Sequence, residues 1–174
     1  MRASIRTCFG LMLLGIQCPL LASSQVEMQW QNPEKYRDIK PAAESRKRFR
    51  ESTFRHLDEY VQKLAEKLPE DSKLVMTVTD LDLAGQVWPA SFYGLGHGMS
   101  DVRVIKNMDI PRMSFSYKLI SSSGDVVQAA EVKLKDMGFM NRSNQIFKSE
   151  TLRYEKNMLK EWFNEEFSSQ IKSS

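Results

Sequence analysis

The chain has 174 residues, 41% hydrophobic and 27% charged, with a formal net charge of +3. That length supports one hydrophobic core and leaves little room for a second domain. So slight a basic excess makes no electrostatic case for nucleic-acid binding, and two cysteines exclude a disulfide-dense scaffold.

At the N-terminus Arg2 and Arg6 precede an apolar run over residues 8–22, the form of a secretory signal peptide. The run is too short, and too interrupted by Gln17 and Pro19, for a membrane span. Small residues at Ala22, Ser23 and Ser24 predict cleavage after Ser24, with Ala22 as the alternative; Gln17 argues against lipidation of Cys18. An uncleaved anchor is the competing reading. Residues 1–24 are therefore read as signal, 25–167 as one domain and 168–174 as a disordered tail, which makes this an exported, periplasmic protein. Loss of Arg2 and Arg6 leaves 23 basic side chains against 22 acidic ones. Both cysteines leave too, so the mature chain has neither a disulfide nor a thiol nucleophile.

Residues 26–30 alternate and predict a first strand, ended by Asn32-Pro33. A helix is predicted from about Pro41, with Phe49, Thr53, Leu57, Val61, Leu64 and Leu68 on one stripe and Pro69 as its stop. The basic cluster Arg46, Lys47, Arg48 and Arg50 reads as a solvated face, as does His56. The stretch 73–85 holds the central strand, with Leu74, Met76 and Val78 on one side, Val75, Thr77 and Thr79 on the other, and Asp80 and Asp82 at its exit. Residues 86–100 show no regular element and read as a long loop, either an aromatic flap or a surface loop pinned by its own rings. Residues 101–106 are a short strand or a continuation of that loop. Strands at 112–120 and 126–135, joined by Ser122-Ser123-Gly124-Asp125, predict a hairpin. A last helix is predicted over 149–167, with Ser149 as cap. It has two apolar columns, Leu152/Leu159/Phe163 and Tyr154/Met158/Trp162; the second is expected to meet the first helix, with the 86–100 loop or a partner as the alternatives. Arg153, Lys156 and Lys160 are expected to face solvent.

Chemistry is sparse along this pattern. Asp80, Asp82 and Asp136 are candidate oxygen ligands for a hard cation such as calcium, although no EF-hand spacing is present and strand-end turns explain them equally. Trp88, Phe92, Tyr93 and His97 are the candidate ligand or partner contacts. The glycines at 94, 96 and 98 make no phosphate loop, since no lysine follows and no helix opens there. With only His56 and His97 available, no nucleophile–base constellation or zinc set is evident, and no cofactor is implied.

The segments TDLDLAG (79–85), LKD with Phe139, and LRYE (152–155) with Trp162-Phe163 resemble the proteobacterial family DUF3016, a domain of unknown function. The resemblance extends over roughly 26–167. It implies an exported bacterial protein and no particular reaction. Within it Thr79, Gly85, Tyr154 and Trp162 are read as structural positions; the insert at 94–98 does not match the family pattern.

The element order β-α-β-β-β-β-α predicts a two-layer α+β sandwich. Its sheet is mixed, mostly antiparallel and four- to five-stranded, with both helices on one face and strands one and two parallel. The strand order is not readable. The functional expectation is a non-catalytic envelope binding or accessory protein that meets an envelope protein or small ligand. An envelope hydrolase and a calcium-stabilised structural domain are the alternatives.

Overall fold

The computed structural model describes residues 25–96, 98–141 and 150–171, so the expected signal peptide lies outside the described residues. The chain runs β1 (Gln25–Trp30), α1 (Arg46–Ala65), β2 (Lys73–Asp82), β3 (Gln86–Trp88), β4 (Val102–Val104), β5 (Arg112–Ile120), β6 (Val126–Lys135) and α2 (Arg153–Glu166). Four strands form one mixed sheet in the order β1-β2-β5-β6, and β3 and β4 form a separate two-stranded ribbon. β1 and β2 are parallel, a pairing that needs a crossover, and α1 supplies it. The α+β architecture follows the sequence pattern.

The core lies on one face of the sheet. Leu74, Met76 and Val78 sit opposite Leu119, Tyr117 and Phe115, and all are buried. Leu57, Val61 and Leu64 of α1 and Leu159, Trp162 and Phe163 of α2 close over them. Each such side chain contributes about 1.5–3 kcal/mol by leaving water. Trp30 joins β1 to α1: its ring stacks on Phe54 at 4.0 Å and its Nε1 donates to Asp58 Oδ1 at 3.0 Å. The other sheet face is polar, with Thr77, Ser116 and Glu131 in register.

Several expectations need correction. α1 begins at Arg46 rather than near Pro41, because the Ser45 side chain accepts the Arg48 N–H and caps the first turn. His56 is half-buried. The 86–100 stretch is not wholly irregular, since Gln86–Trp88 pairs with Val102–Val104 and residues 90–93 form a 3-10 turn. α2 starts at Arg153, preceded by Leu152 in a left-handed conformation (φ 58°); Ser149 lies outside the described residues. Trp162 packs edge-on to Phe115 and Tyr117 and Tyr154 on Phe139, so at these two residues the second column of α2 meets the sheet and the small core beside it. Lys156 is largely covered, bonded to Glu150 and lying over the Tyr60 ring, and Arg153 lies over the Tyr154 ring. Within the expected tail, residues 168–171 are placed against the body, where Ile171 packs on the core and Gln170 donates to Gln128 Oε1.

Candidate functional site

The site lies at the exit of β2. A register shift between Val78 and Asp80 leaves Thr79 as an extra residue, a β-bulge, with its Oγ1 donating to the Ser114 carbonyl at 3.2 Å. One extra residue reverses the alternation that follows. Leu81 therefore enters the core, and Asp80 and Asp82 point away from it. The segment 36–38 runs alongside: the Tyr36 hydroxyl donates to the Val78 carbonyl at 2.7 Å, and Asp38 bridges to Asp82 through the backbone. Burial pushes the Tyr36 phenol up to about 12.

Three arginines hold the aspartates. The Arg37 backbone N–H donates to Asp80 Oδ1 at 3.0 Å, and its guanidinium lies 3.6 Å from Asp80 and 3.8 Å from Asp82. Arg112 Nη1 donates to Asp82 Oδ2 at 2.7 Å. Burial nevertheless holds the Asp82 carboxyl above its ordinary range, against the lowering effect of both guanidinium groups. Arg103 gathers four oxygens: Asp38 Oδ2 (3.1 Å) and the carbonyls of Ala84 (3.3 Å), Gly85 (2.9 Å) and Lys40 (2.8 Å). The planar guanidinium can serve several acceptors at once where a lysine could not.

Beneath this, Ala84, Ile110, Phe139 and Tyr154 form a second small core, with Phe139 edge-on to Tyr154 at 4.8 Å. Glu155 is buried, and its Oε1 accepts the Ala84 N–H at 2.7 Å. Loss of water raises its carboxyl above the ordinary value, more than the Ala84 bond and the field of Arg103 lower it. Segments 79–85, 134–139 and 152–155, distant in sequence, thus meet at one end of the sheet. Trp162 and Phe163 belong to the main core instead.

From this locked exit projects the β3–β4 ribbon, hereafter the arm. At its root Gly85 has φ +81°, and a Cβ there would lie 2.6 Å from the Val104 carbonyl oxygen. Trp88 is half-buried under Lys106, whose Nζ stands 5.0 Å from the ring centroid, and contacts Phe92 at 5.8 Å. Beyond it Phe92 is 73% exposed, Tyr93 42%, Leu95 48% and Met99 62%. The expected contact set therefore divides, with Trp88 belonging to the root and Phe92 and Tyr93 to the tip. His97 lies outside the described residues.

A polar cleft of about 400 Å³ separates the root from the sheet, lined by Arg37, Lys40, Asp82, Gln86, Met108 and Arg112. The oxygen set Asp80, Asp82 and Asp136 is not assembled there. Among the described residues no group of three or more His, Cys, Asp or Glu side chains is arranged to hold a metal ion. Asp136 sits apart in its own turn, accepting the Gly138 N–H at 3.0 Å. Arg37, Arg103 and Arg112 were not singled out from the sequence, and Glu155 stood there only as part of LRYE, although Arg103 flanked by Val102 and Val104 marks a cation on a short strand.

Fold and site define a two-layer α+β domain carrying a stapled, projecting ribbon at one sheet end. The chain belongs to the DUF3016 family, described as a protein of unknown function, whose model matches residues 24–165. No curated protein and no solved structure matches it.

Proposed function

We propose that this protein is a non-catalytic binding or accessory module of the bacterial cell envelope, exported by residues 1–24, and that the arm is its binding element. One observation carries this reading: apolar side chains at the tip are exposed while the root beneath them is locked. A recognition group held by a rigid scaffold loses little entropy on binding, and aromatic anchors dominate contact energies. The carboxylates at the β2 exit are engaged by arginines and backbone amides, which favours a holding role for them over acid–base chemistry.

A photoreactive residue at position 93 tests the arm in cells. Adducts with envelope components should form from position 93 and not from a control position on the polar sheet face, such as Lys133. Equal labelling from both, or none from 93, overturns the reading. Export has its own test, since mass spectrometry of the envelope fraction should find a mature N-terminus near Gln25. A chain still beginning at Met1, or a diacylglyceryl group on Cys18, defeats it.

A further inference from the structure

The tip of the arm differs from the rest of the chain in charge. Residues 89–100 contain no Asp, Glu, Lys or Arg, against 27% for the whole sequence. Their exposed large apolar side chains are Phe92, Tyr93, Leu95 and Met99. Cβ atoms built on Gly94, Gly96 and Gly98 would meet nothing within 4 Å, so the tip stands clear of the body. Charge returns at the root with Asp101, Arg103 and Lys106. Arg103 is bound to Asp38 and three carbonyls, whereas Lys106 extends its ammonium over the Trp88 ring.

An uncharged convex tip with an indole and a lysine at its base matches the layering of a membrane surface. Apolar side chains enter the acyl boundary, while Trp, Tyr and snorkelling Lys settle at the headgroups. A protein partner for such a knob would be expected to fix its register through charged or strongly polar side chains, and among its described residues the tip offers only the hydroxyls of Ser91, Tyr93 and Ser100. We propose that the tip side chains Phe92, Tyr93, Leu95 and Met99 dock into the interfacial layer of an anionic phospholipid bilayer, with Trp88 and Lys106 at headgroup level. The depth is limited, because irregular backbone is not tolerated against hydrocarbon. Among the described residues of the tip, the Gly94 N–H bonds to the Ser91 carbonyl and the Leu95 N–H to that of Ala90. This inference rests on the arm being the binding element and names its partner.

The test is sedimentation of the mature chain with vesicles of phosphatidylethanolamine and phosphatidylglycerol, beside vesicles of phosphatidylcholine alone. The protein should pellet with the anionic vesicles. The double variant Phe92→Ser/Leu95→Ser should lose about tenfold or more in partitioning, the consequence of withdrawing two apolar side chains. Its melting temperature should be unchanged, because both side chains are exposed in the free protein. Lys106→Gln should weaken binding at low salt and have little effect at high salt. Brominated lipid should quench fluorescence in the parent protein and much less in Trp88→Phe. No pelleting with either vesicle, or a double variant that binds as well as the parent, overturns the inference. If vesicles fail while position 93 still cross-links one envelope protein, the bilayer is wrong and the binding module stands. If both fail, both readings fall.

Discussion

Gly85 occupies a corner that a side chain cannot share. Its φ of +81° is strained for any L-residue, and the Val104 carbonyl stands where a methyl group would go. Gly85→Ala should therefore cost about 3 kcal/mol in urea unfolding, combining backbone strain with overpacking. Gly96→Ala, with a similar φ but open space around it, should cost only about 1 kcal/mol. Equal losses at the two positions would mean that the close approach at Gly85 does not matter. Glu155 makes the pH-dependent counterpart. Burial raises its folded pKa above the ordinary 4.5, so the folded state binds the proton more tightly than the unfolded chain. Its stabilising contribution is complete below that value and is lost as pH rises through the folded pKa. Melting temperature should fall from pH 5 to pH 8, and Glu155→Gln, which keeps an oxygen for the Ala84 N–H, should flatten much of that slope. A slope unchanged in the variant assigns it to the other raised carboxyls, Asp58 and Asp82. Part of this site was legible in the residues: 74, 76 and 78 are apolar, then 81 and 83, and that change of parity is a bulge written into the sequence. Burial of Glu155 was not legible, because a glutamate on a helix announces nothing about what lies across from it.

The arm shows how an element can be rigid at one end and open at the other. Three ladder pairs would be marginal alone. Arg103 supplies the constraint, tying β4 to Asp38, Lys40 and the β2 exit together. Arg103→Lys keeps the charge but cannot span four oxygens. Hydrogen exchange over residues 86–104 should then speed by about ten- to a hundredfold, as expected for loss of a few hydrogen bonds locally. Amides of Met76 and Phe115 should not change; a uniform acceleration would show that Arg103 supports the whole fold. Sequence pattern concealed this ribbon, since three-residue strands carry too few alternations to stand out beside three glycines. The helices were easier, with their stripes correct, but their starts were misplaced by a missed Ser45 cap and by Leu152 in a conformation that leucine rarely adopts. The partners of Trp162 and Tyr154 were not foreseen, because an apolar arc says how much is covered and not by what.

At the scale of the molecule, the β-α-β beginning announced a parallel pair and the serine-glycine turn announced a hairpin, and both are present. What no local pattern supplied was the insertion of β5 beside β2 in place of β3. That choice rests on long-range packing of Phe115 and Tyr117 beneath Trp162. The resulting order, β1-β2-β5-β6, gives the sheet two unlike borders. On one side β5 and β6 are joined by a tight turn in which Ser121 and Asp125 bond. On the other, β1 finds β2 only after residues 31–72 have been laid across the sheet. Closing so long a loop is slow compared with hairpin formation, so the two borders should assemble at different times. Val132→Ala should slow refolding, with a φ-value of about 0.5–0.8, while Met28→Ala should mainly speed unfolding, with a φ-value of about 0–0.3. Stopped-flow chevrons in urea distinguish them, and a refolding limb slowed equally by both would place the first strand in the nucleus. With the opposite result, the N-terminal strand is the last piece to arrive, and β2 waits in the transition state with one flank unpaired.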